Sequence, residues 1–168
     1  MLLVTGEIDK FESTIKQPLT HAENFEDRLP AEHHYIRFLS FSGRFEEAID
    51  KCFSILDEYG EKFPRIVTPD IIEAEIVAAD SMLTNFPKGE LRYIPKLTGD
   101  MRHSLMKTMT YTVIIAMSVK REYLPLVGCR IASRSASYGW CSYGAFGLYA
   151  FGCALINFSN KIDEGCSW

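Results

Sequence analysis

The clearest pattern in the chain is a helical spacing of apolar residues that begins after Arg44. From Phe45 onward, apolar side chains recur at offsets of 3, 4, 7, 8, 11 and 14 residues, and charged side chains take the opposite face. Gly60 follows this run and Pro64 comes soon after, which is the usual order of residues at the end of a helix. We therefore predict an amphipathic helix from Arg44 to Tyr59.

A second helix is predicted directly before the first, over residues 25–41. Asn24 can cap it, and two acidic residues in its first turn suit the positive end of the helix dipole. Pro30 lies inside the pattern and is expected to distort the early part of this helix. Only Ser42 and Gly43 separate the two helices, so they are predicted to fold back on each other as an antiparallel hairpin.

Five more helices are predicted. They cover residues 7–21, residues 68 to an end somewhere within 85–89, residues 98 to about 119, residues 121–138 and residues 140–157. The fourth helix of the chain opens with Thr68-Pro69-Asp70, a typical helix start. The centre of the helix that ends near residue 119 reads TYTVIIAMSV and is apolar nearly all round, which predicts deep packing. Residues 91–97, LRYIPKL, are predicted to form a loop or a single turn. Because no hairpin strand signal occurs, the predicted class is all-α.

Two short segments resemble each other, and each follows a helix rich in aromatic and aliphatic residues. They are FSGRFEEA at residues 41–48 and FSNKIDEG at residues 158–165. Asn160 stands in the place of Gly43, where a left-handed backbone is tolerated, and Gly165 stands in the place of the small residue Ala48. The two segments predict repeated helical hairpins, the organisation of a solenoid.

The two copies differ in the length of chain that comes after them. A whole predicted helix comes after Ala48, whereas only three residues come after Gly165. We therefore expect residues 1–168 to be a single segment of a longer array, with an unpaired helix face near its C-terminal end. Such a face predicts either low stability in isolation or an obligatory neighbour.

The turn and two longer stretches carry a family resemblance. The spacing G-x-F-x-x-A resembles the tetratricopeptide hairpin turn. With it, HAENFEDRLPAEHHYIRFLSFSGRFEEAIDKCFSILDEYGEKFP and YLPLVGCRIASRSASYGWCSYGAFGLYAFG resemble the helical-repeat region of large multidomain signalling ATPases, over about residues 10–165. In that family a tetratricopeptide-like superhelix follows an AAA-type ATPase, often with kinase-like or histidine-kinase modules. The resemblance implies a short right-handed solenoid with a scaffolding or regulatory role.

No motif for nucleotide chemistry lies in the chain. There is no G-x-x-x-x-G-K-[ST] loop, no kinase H-R-D or D-F-G set, and no G-x-S-x-G elbow. The glycines of YGWCSYGAFGLYAFG are better explained as small residues that let helices pack closely. We therefore predict a protein that is not an enzyme and uses no cofactor.

Composition limits the class further. Apolar residues make up 47% of the chain and charged residues 24%, enough for a real core. The net charge of −4 disfavours a nucleic-acid binder. Five cysteines, an odd number, without a secretory leader predict reduced thiols in the cytoplasm, with at least four of them buried.

The histidines show no pattern of a metal site. His33 and His34 are neighbours on a predicted helix, so their side chains point about 100° apart and cannot both face one metal. No cysteine or histidine stands at zinc-finger spacing. We therefore interpret the histidines as surface residues and predict no metal.

Two features leave alternatives open. Arg130 and Arg134 are i,i+4 neighbours and can clamp a carboxylate or phosphate of a partner, or they can be solvated or pair with acids on an adjacent helix. Residues 138–160 carry no charge and are long enough to span a bilayer, but a buried solenoid helix is favoured because polar residues and glycines dilute their hydrophobicity.

These observations favour a helical-repeat scaffold that mediates protein–protein or interdomain interaction in a signalling ATPase or kinase system. The expected partner is a protein or a neighbouring domain of the same polypeptide, not nucleic acid or a membrane. One alternative is a regulatory fragment of a multidomain ATPase or kinase that takes part in ATP-dependent or phosphorelay signalling. The other is a small membrane-associated helical protein.

Overall fold

The structure, a computed structural model, describes residues 8–84 and 95–159 together with Asp163 and Cys166. Within these residues the fold is all-α, as predicted, and the only β-type pairing is one isolated bridge between Lys96 and Trp140. The helices are α1 (Ile8–His21), α2 (Phe25–Phe41), α3 (Phe45–Glu58), α4 (Pro69–Leu83), α5 (Asp100–Val119), α6 (Leu124–Tyr138) and α7 (Ser142–Ser159).

The α2–α3 hairpin follows its sequence closely. The side chain of Asn24 accepts a hydrogen bond of 2.9 Å from the backbone N–H of Asp27, so the predicted cap is confirmed. Pro30 lies inside α2 without ending it. Gly43 adopts a φ of 75°, the left-handed conformation that the tight turn requires, and the N–H of Arg44 closes the turn on the carbonyl of Leu39.

Ala48 lies in the first turn of α3, close after the turn of this hairpin. Its side chain is fully buried in a cluster formed by α1, α2, α3 and α5. A small side chain suits such a closely packed position, and the role of Ala48 in a repeated turn stays a prediction. Asn160 and Gly165, the matching residues of the second copy, lie outside the described residues. The predicted end of α4 at residues 85–89 and most of LRYIPKL also lie outside them.

The helices do not simply stack in chain order. α3 packs against α5, whereas α4, the helix between them in sequence, packs against α6 and α7. The core therefore has one cluster around α1–α3 and α5, a second around α4, α6 and α7, and a third that joins them through α5 and α6. α5 occupies the centre, because it contacts α2, α3, α6 and α7.

The α6–α7 hairpin is held by close contact at glycines. A Cβ atom added to Gly128 would lie 2.6 Å from the Cβ of Ala150, and one added to Gly147 would overlap the side chain of Ile131. Real side chains cannot approach so closely, so glycine is required for this helix crossing. Of the glycines of YGWCSYGAFGLYAFG, Gly147 confirms the interpretation as a residue that lets helices pack closely, and Gly144 agrees with it, since a Cβ there would lie 2.7 Å from the Oγ of Ser135.

The turn between α6 and α7 is tied to the segment before α5. The N–H of Trp140 donates to the carbonyl of Pro95 at 2.7 Å, and the N–H of Leu97 donates to the carbonyl of Trp140 at 2.8 Å. Gly139 makes this approach possible with a φ of 109°. Because Trp140 takes part in the bridge, α7 begins at Ser142, two residues later than predicted.

The start of α6 also differs from the prediction. Lys120 leaves the helical conformation with φ −137° and ψ 61°, and a 3-10 turn over Arg121–Tyr123 precedes the α-helix at Leu124. Pro125 lies in the first turn of α6, as expected, where its missing N–H costs no helical bond.

Burial corrects two expectations about single residues. His33 is only 3% exposed, because it lies between α2 and α5, so the interpretation of all histidines as surface residues is wrong for it. The structure buries three cysteines, Cys52, Cys129 and Cys141, leaves Cys153 half-buried and exposes Cys166. The expected number of buried thiols was therefore too high.

Candidate docking groove

An open apolar groove lies along α5 and α7, with the beginning of α6 between them. Its volume is about 990 Å³, and its lining is mostly aliphatic and aromatic. Four of the large apolar side chains along it are at least half exposed: Ile114 at 50%, Met117 at 52%, Tyr149 at 68% and Phe158 at 52%. A continuous apolar surface of this kind marks an interaction site more often than scattered exposed residues do.

The groove has a defined direction because of the helix connections. α6 is joined to α5 by the short turn at Arg121–Tyr123, and the contacts of Gly128 with Ala150 and of Gly147 with Ile131 show that α7 runs antiparallel to α6. The bridge from Pro95 and Leu97 to Trp140 places the start of α5 beside the start of α7. α5 and α7 therefore run in the same direction, and their C-terminal ends lie at the same end of the groove.

The α5 wall departs from the sequence expectation. Its middle was predicted to be deeply packed, yet Ile114 and Met117 face the groove. The opposite side of α5 is buried, and Thr108 and Thr112 can lie there because each hydroxyl donates to a carbonyl one turn earlier, at 2.9 Å in both cases. α5 thus has more apolar surface than its neighbours cover.

Two polar residues of the described lining, Arg121 and Asn157, lie at the C-terminal end of the groove. Arg121 follows the stripe of Ile114 and Met117, and its Nε donates to the carbonyl of Met117 at 2.9 Å. On α7, the amide of Asn157 donates to the carbonyl of Cys153 at 2.7 Å. Among the described residues that line the groove, Arg121 is the only charged one. As far as the described residues show it, the groove is therefore an apolar channel with a positive charge, that of Arg121, at one end.

A thiol and a phenol meet on the α7 wall. Cys153 is half-buried, and its hydrogen bond with Tyr149 raises the pKa of that phenol above its ordinary value. The phenol is therefore neutral at physiological pH and adds no charge to this wall. Cys153 also gives the groove a chemical handle, because a molecule bound there would shield the sulfur from alkylating reagents.

The two arginines singled out in the sequence lie elsewhere, in a smaller groove of about 420 Å³ between α6, α4 and the end of α3. The Nε of Arg130 donates to Glu75 at 2.8 Å, and its Nη1 donates to the carbonyl of Lys62 at 2.6 Å. The Nε of Arg134 donates to the buried carboxylate of Glu61 at 2.5 Å, and this bond raises the pKa of Arg134.

This network is one of the arrangements that the sequence left open, in which Arg130 and Arg134 pair with acids nearby in the fold. It joins α6 to α4 and to Glu61 in the segment that follows α3, and Arg130 also stacks on Phe63 at 4.1 Å from the ring centroid. Partner binding by the two arginines stays a prediction. A partner's carboxylate or phosphate would have to compete with Glu61 and Glu75 for them.

Other kinds of site find little support in the described part of the chain. In it, no group of three or more histidine, cysteine, aspartate or glutamate side chains is arranged to hold a metal ion. Of the helices placed by the structure, none combines the length and the hydrophobicity needed to cross a membrane. His33 is used internally, since its Nε2 lies 2.9 Å from the hydroxyl of Thr108.

Comparisons of the chain with protein families, with curated proteins and with solved structures give no match. The resemblance to the repeat region of signalling ATPases therefore stays a prediction. The function is inferred instead from the geometry of the groove.

Sequence reasoning missed this groove, although a signal was present. TYTVIIAMSV offers apolar residues on more faces than a helix in a two-layer packing can bury, and Ile114, Met117 and Arg121 share one stripe at i, i+3 and i+7. An apolar stripe that ends in a charge is a pattern of partial exposure. Partial exposure of this helix could therefore have been predicted as an alternative to deep packing.

Proposed function

We propose that this protein is a non-catalytic helical scaffold that binds an amphipathic α-helix of a partner protein, or of a neighbouring domain, in the groove between α5 and α7. The observation that carries the proposal is the open apolar surface along Ile114, Met117, Tyr149 and Phe158. When another apolar surface covers such a surface, the removal of both from water lowers the free energy and stabilises the complex.

The dimensions favour a helix as the occupant. The α7 wall extends from Phe146 to Phe158, which at the helical rise of about 1.5 Å per residue is about 18 Å, or roughly three turns of a partner helix. Two roughly parallel helices leave a furrow between them that accepts the apolar ridge of a third. Because its walls are so exposed, the groove would leave a small ligand largely in water, whereas binding pockets bury most of a small ligand's surface.

The finer parts of the proposal are a tetratricopeptide-like array and a role in a signalling ATPase or kinase system, in the cytoplasm. The α2–α3 and α6–α7 hairpins support repeated hairpins, and the uncovered faces of α5 and α7 are what an array with a further neighbour would need. The position of α4 against α6 and α7 departs from a regular array. The predicted lack of enzymatic activity is tested by ATP hydrolysis, which we expect to be absent.

Selection from a library of helix-forming peptides tests the groove and requires no named partner. Peptides of about sixteen residues would be displayed, selected on the wild-type protein, and measured by fluorescence anisotropy. We expect selected peptides to lose at least about thirtyfold in affinity for Tyr149→Glu, as for a central contact of an interface. Val77→Glu is the matched control, because Val77 is an exposed apolar residue of α4, outside the groove.

Alkylation of Cys153 gives a second readout. In a Cys166→Ser background, saturating peptide should slow the reaction of Cys153 with a maleimide, because the peptide covers the half-buried sulfur. Selected peptides that bind Tyr149→Glu as well as the wild type, and leave Cys153 equally reactive, would contradict the proposal. So would a selection that returns no helix-forming binder.

A further inference from the structure

We infer that Arg121 is the specificity-determining residue of the groove, and that it selects helices that carry a carboxylate side chain at the end of their apolar stripe. This inference rests on the proposed function and adds the chemistry of the partner. The observation behind it is that, among the described residues that line the groove, Arg121 alone is charged.

The position of Arg121 is set by the backbone. Its Nε donates to the carbonyl of Met117 at 2.9 Å, one of the last carbonyls of α5, which have no partner within the helix. This bond holds the guanidinium at the end of the stripe formed by Ile114 and Met117. The two Nη groups are then the donors available to a molecule in the groove, and a guanidinium is suited to paired hydrogen bonds with a carboxylate.

The acidic residues near this end of α5 are engaged by another cation. Lys120 pairs with Asp50 at 2.8 Å and with Glu46 at 3.6 Å, both on α3. Among the described acidic residues, none forms an ion pair with Arg121, although Glu122 is its neighbour in sequence. By contrast, Arg130 and Arg134 are both paired with acids in the fold. Among the described residues, Arg121 therefore brings to the groove a positive charge that no carboxylate pairs.

Charge complementarity thus defines the occupant. The partner helix has apolar residues at i, i+3 or i+4, and i+7, which cover Phe146, Tyr149 and Met117, and a glutamate or aspartate about one turn further on, beside Arg121. A lysine or arginine at that position would meet a like charge and would be rejected. Asn157, at the same end, can donate to or accept from polar groups of the last turn.

Parallel selections on charge variants test the inference. The same peptide library would be selected on the wild type, on Arg121→Glu and on Arg37→Glu, the last because Arg37 is an exposed arginine of α2 outside the groove. We expect acidic residues to be enriched at one fixed spacing from the apolar stripe with the wild type and with Arg37→Glu. With Arg121→Glu, the same position should be enriched in lysine or arginine.

Affinities of matched peptides give the size of the effect. Arg121→Glu should weaken the acidic peptide on the order of tenfold, and a peptide with lysine at that position should regain most of the loss. The difference should shrink as salt is raised, because the pair lies at the solvent-exposed end of the groove. Equal enrichment and equal affinity on the wild type and Arg121→Glu would overturn the role of Arg121.

The outcomes separate this inference from the proposed function. Peptides that need Tyr149 but show no charge preference would leave the groove as a docking site and would overturn the selection of acidic helices. A concentration-dependent dimer abolished by Tyr149→Glu would identify a second copy as the occupant. A fluorescent long-chain fatty acid that binds while no peptide does would identify a lipid instead. Either result would overturn both the proposed binding of a partner helix and the proposed selection of acidic helices by Arg121.

Discussion

The α2–α3 hairpin and the α5–α7 region use their apolar residues in opposite ways. In the hairpin, one face of α3 carries the apolar residues and is buried, and the other carries charges and meets solvent. In the α5–α7 region, apolar residues are found on both the buried and the exposed sides of the helices. The comparison shows that a one-sided helix can bury its whole apolar face within this fold, whereas a helix that is apolar all round is left with exposed apolar surface.

The largest effect is expected from truncating isoleucine in the two regions. Ile49 is fully buried on α3, so Ile49→Ala should lower the free energy of unfolding by about 3 kcal/mol through lost burial and a cavity. Ile114 is half exposed on α5, so Ile114→Ala should cost less than about 1 kcal/mol. Urea denaturation followed by circular dichroism measures both. Equal losses would mean that the groove is closed in solution.

The packing of α7 on α6 is the next test. Gly147→Ala places a Cβ against Ile131, so we expect a loss of about 2 kcal/mol in the free energy of unfolding from overpacking. Tyr149→Ala, on the exposed side of the same helix, should change it by less than about 0.5 kcal/mol. Thermal denaturation of the two variants compares them. If Gly147→Ala were neutral, the close approach of the two helices would be wrong.

The contact between α2 and α5 at His33 should make the stability of the protein sensitive to acid. Burial, with smaller contributions from Lys107 and His34, lowers the pKa of His33 from 6.5 to about 4 in the folded protein. Between these values the unfolded chain binds the proton and the folded protein does not, so stability is lost as pH falls through this window, by on the order of 2 kcal/mol.

The matched variants are His33→Leu, which removes the titrating ring, and His34→Gln, which alters an exposed neighbour. The midpoint of urea unfolding measured from pH 7 to pH 4 should fall less steeply for His33→Leu than for the wild type. His34→Gln should follow the wild type closely. The same slope for wild type and His33→Leu would show that other groups cause the acid sensitivity.

The smallest effect is expected at the turn of the hairpin. Gly43 has a φ of 75°, and no heavy atom lies within 4 Å of the place where a Cβ would be added. Gly43→Ala should therefore cost about 1 kcal/mol through backbone conformation alone, without a clash. Ser42→Gly is a control that alters the adjacent turn residue without demanding a positive φ of a side chain. A neutral Gly43→Ala would argue against the left-handed turn.

Much of the local structure could be predicted from single segments of sequence. The cap at Asn24, the turn at Gly43 and the limits of α2 and α3 follow from short-range hydrogen bonds and from the spacing of apolar residues. The start of α7 could not be predicted in the same way. It depends on hydrogen bonds between Trp140 and residues more than forty positions earlier in the chain.

The candidate sites were less accessible to sequence reasoning. Arg130 and Arg134 were recognised as neighbours, but their partners come from the segment after α3 and from α4, and no spacing rule connects those segments. The groove was missed because apolar character was equated with burial. His33 was predicted at the surface because polar character was equated with exposure. A polar ring can nevertheless be buried when a hydrogen-bonding group such as the Thr108 hydroxyl lies beside it.

The sequence by itself determined the all-α class, the helices and the tight α2–α3 hairpin, because caps, turns and 3.6-residue periodicity act between residues close in the chain. Only the tertiary structure decided that α4 packs on α6 and α7, that Glu61 and Glu75 bind the two arginines, and that α5 and α7 leave a groove ending at Arg121. Those outcomes depend on which apolar faces fit together across the molecule. Many pairings satisfy the same pattern, and only the packing of complete helices distinguishes between them.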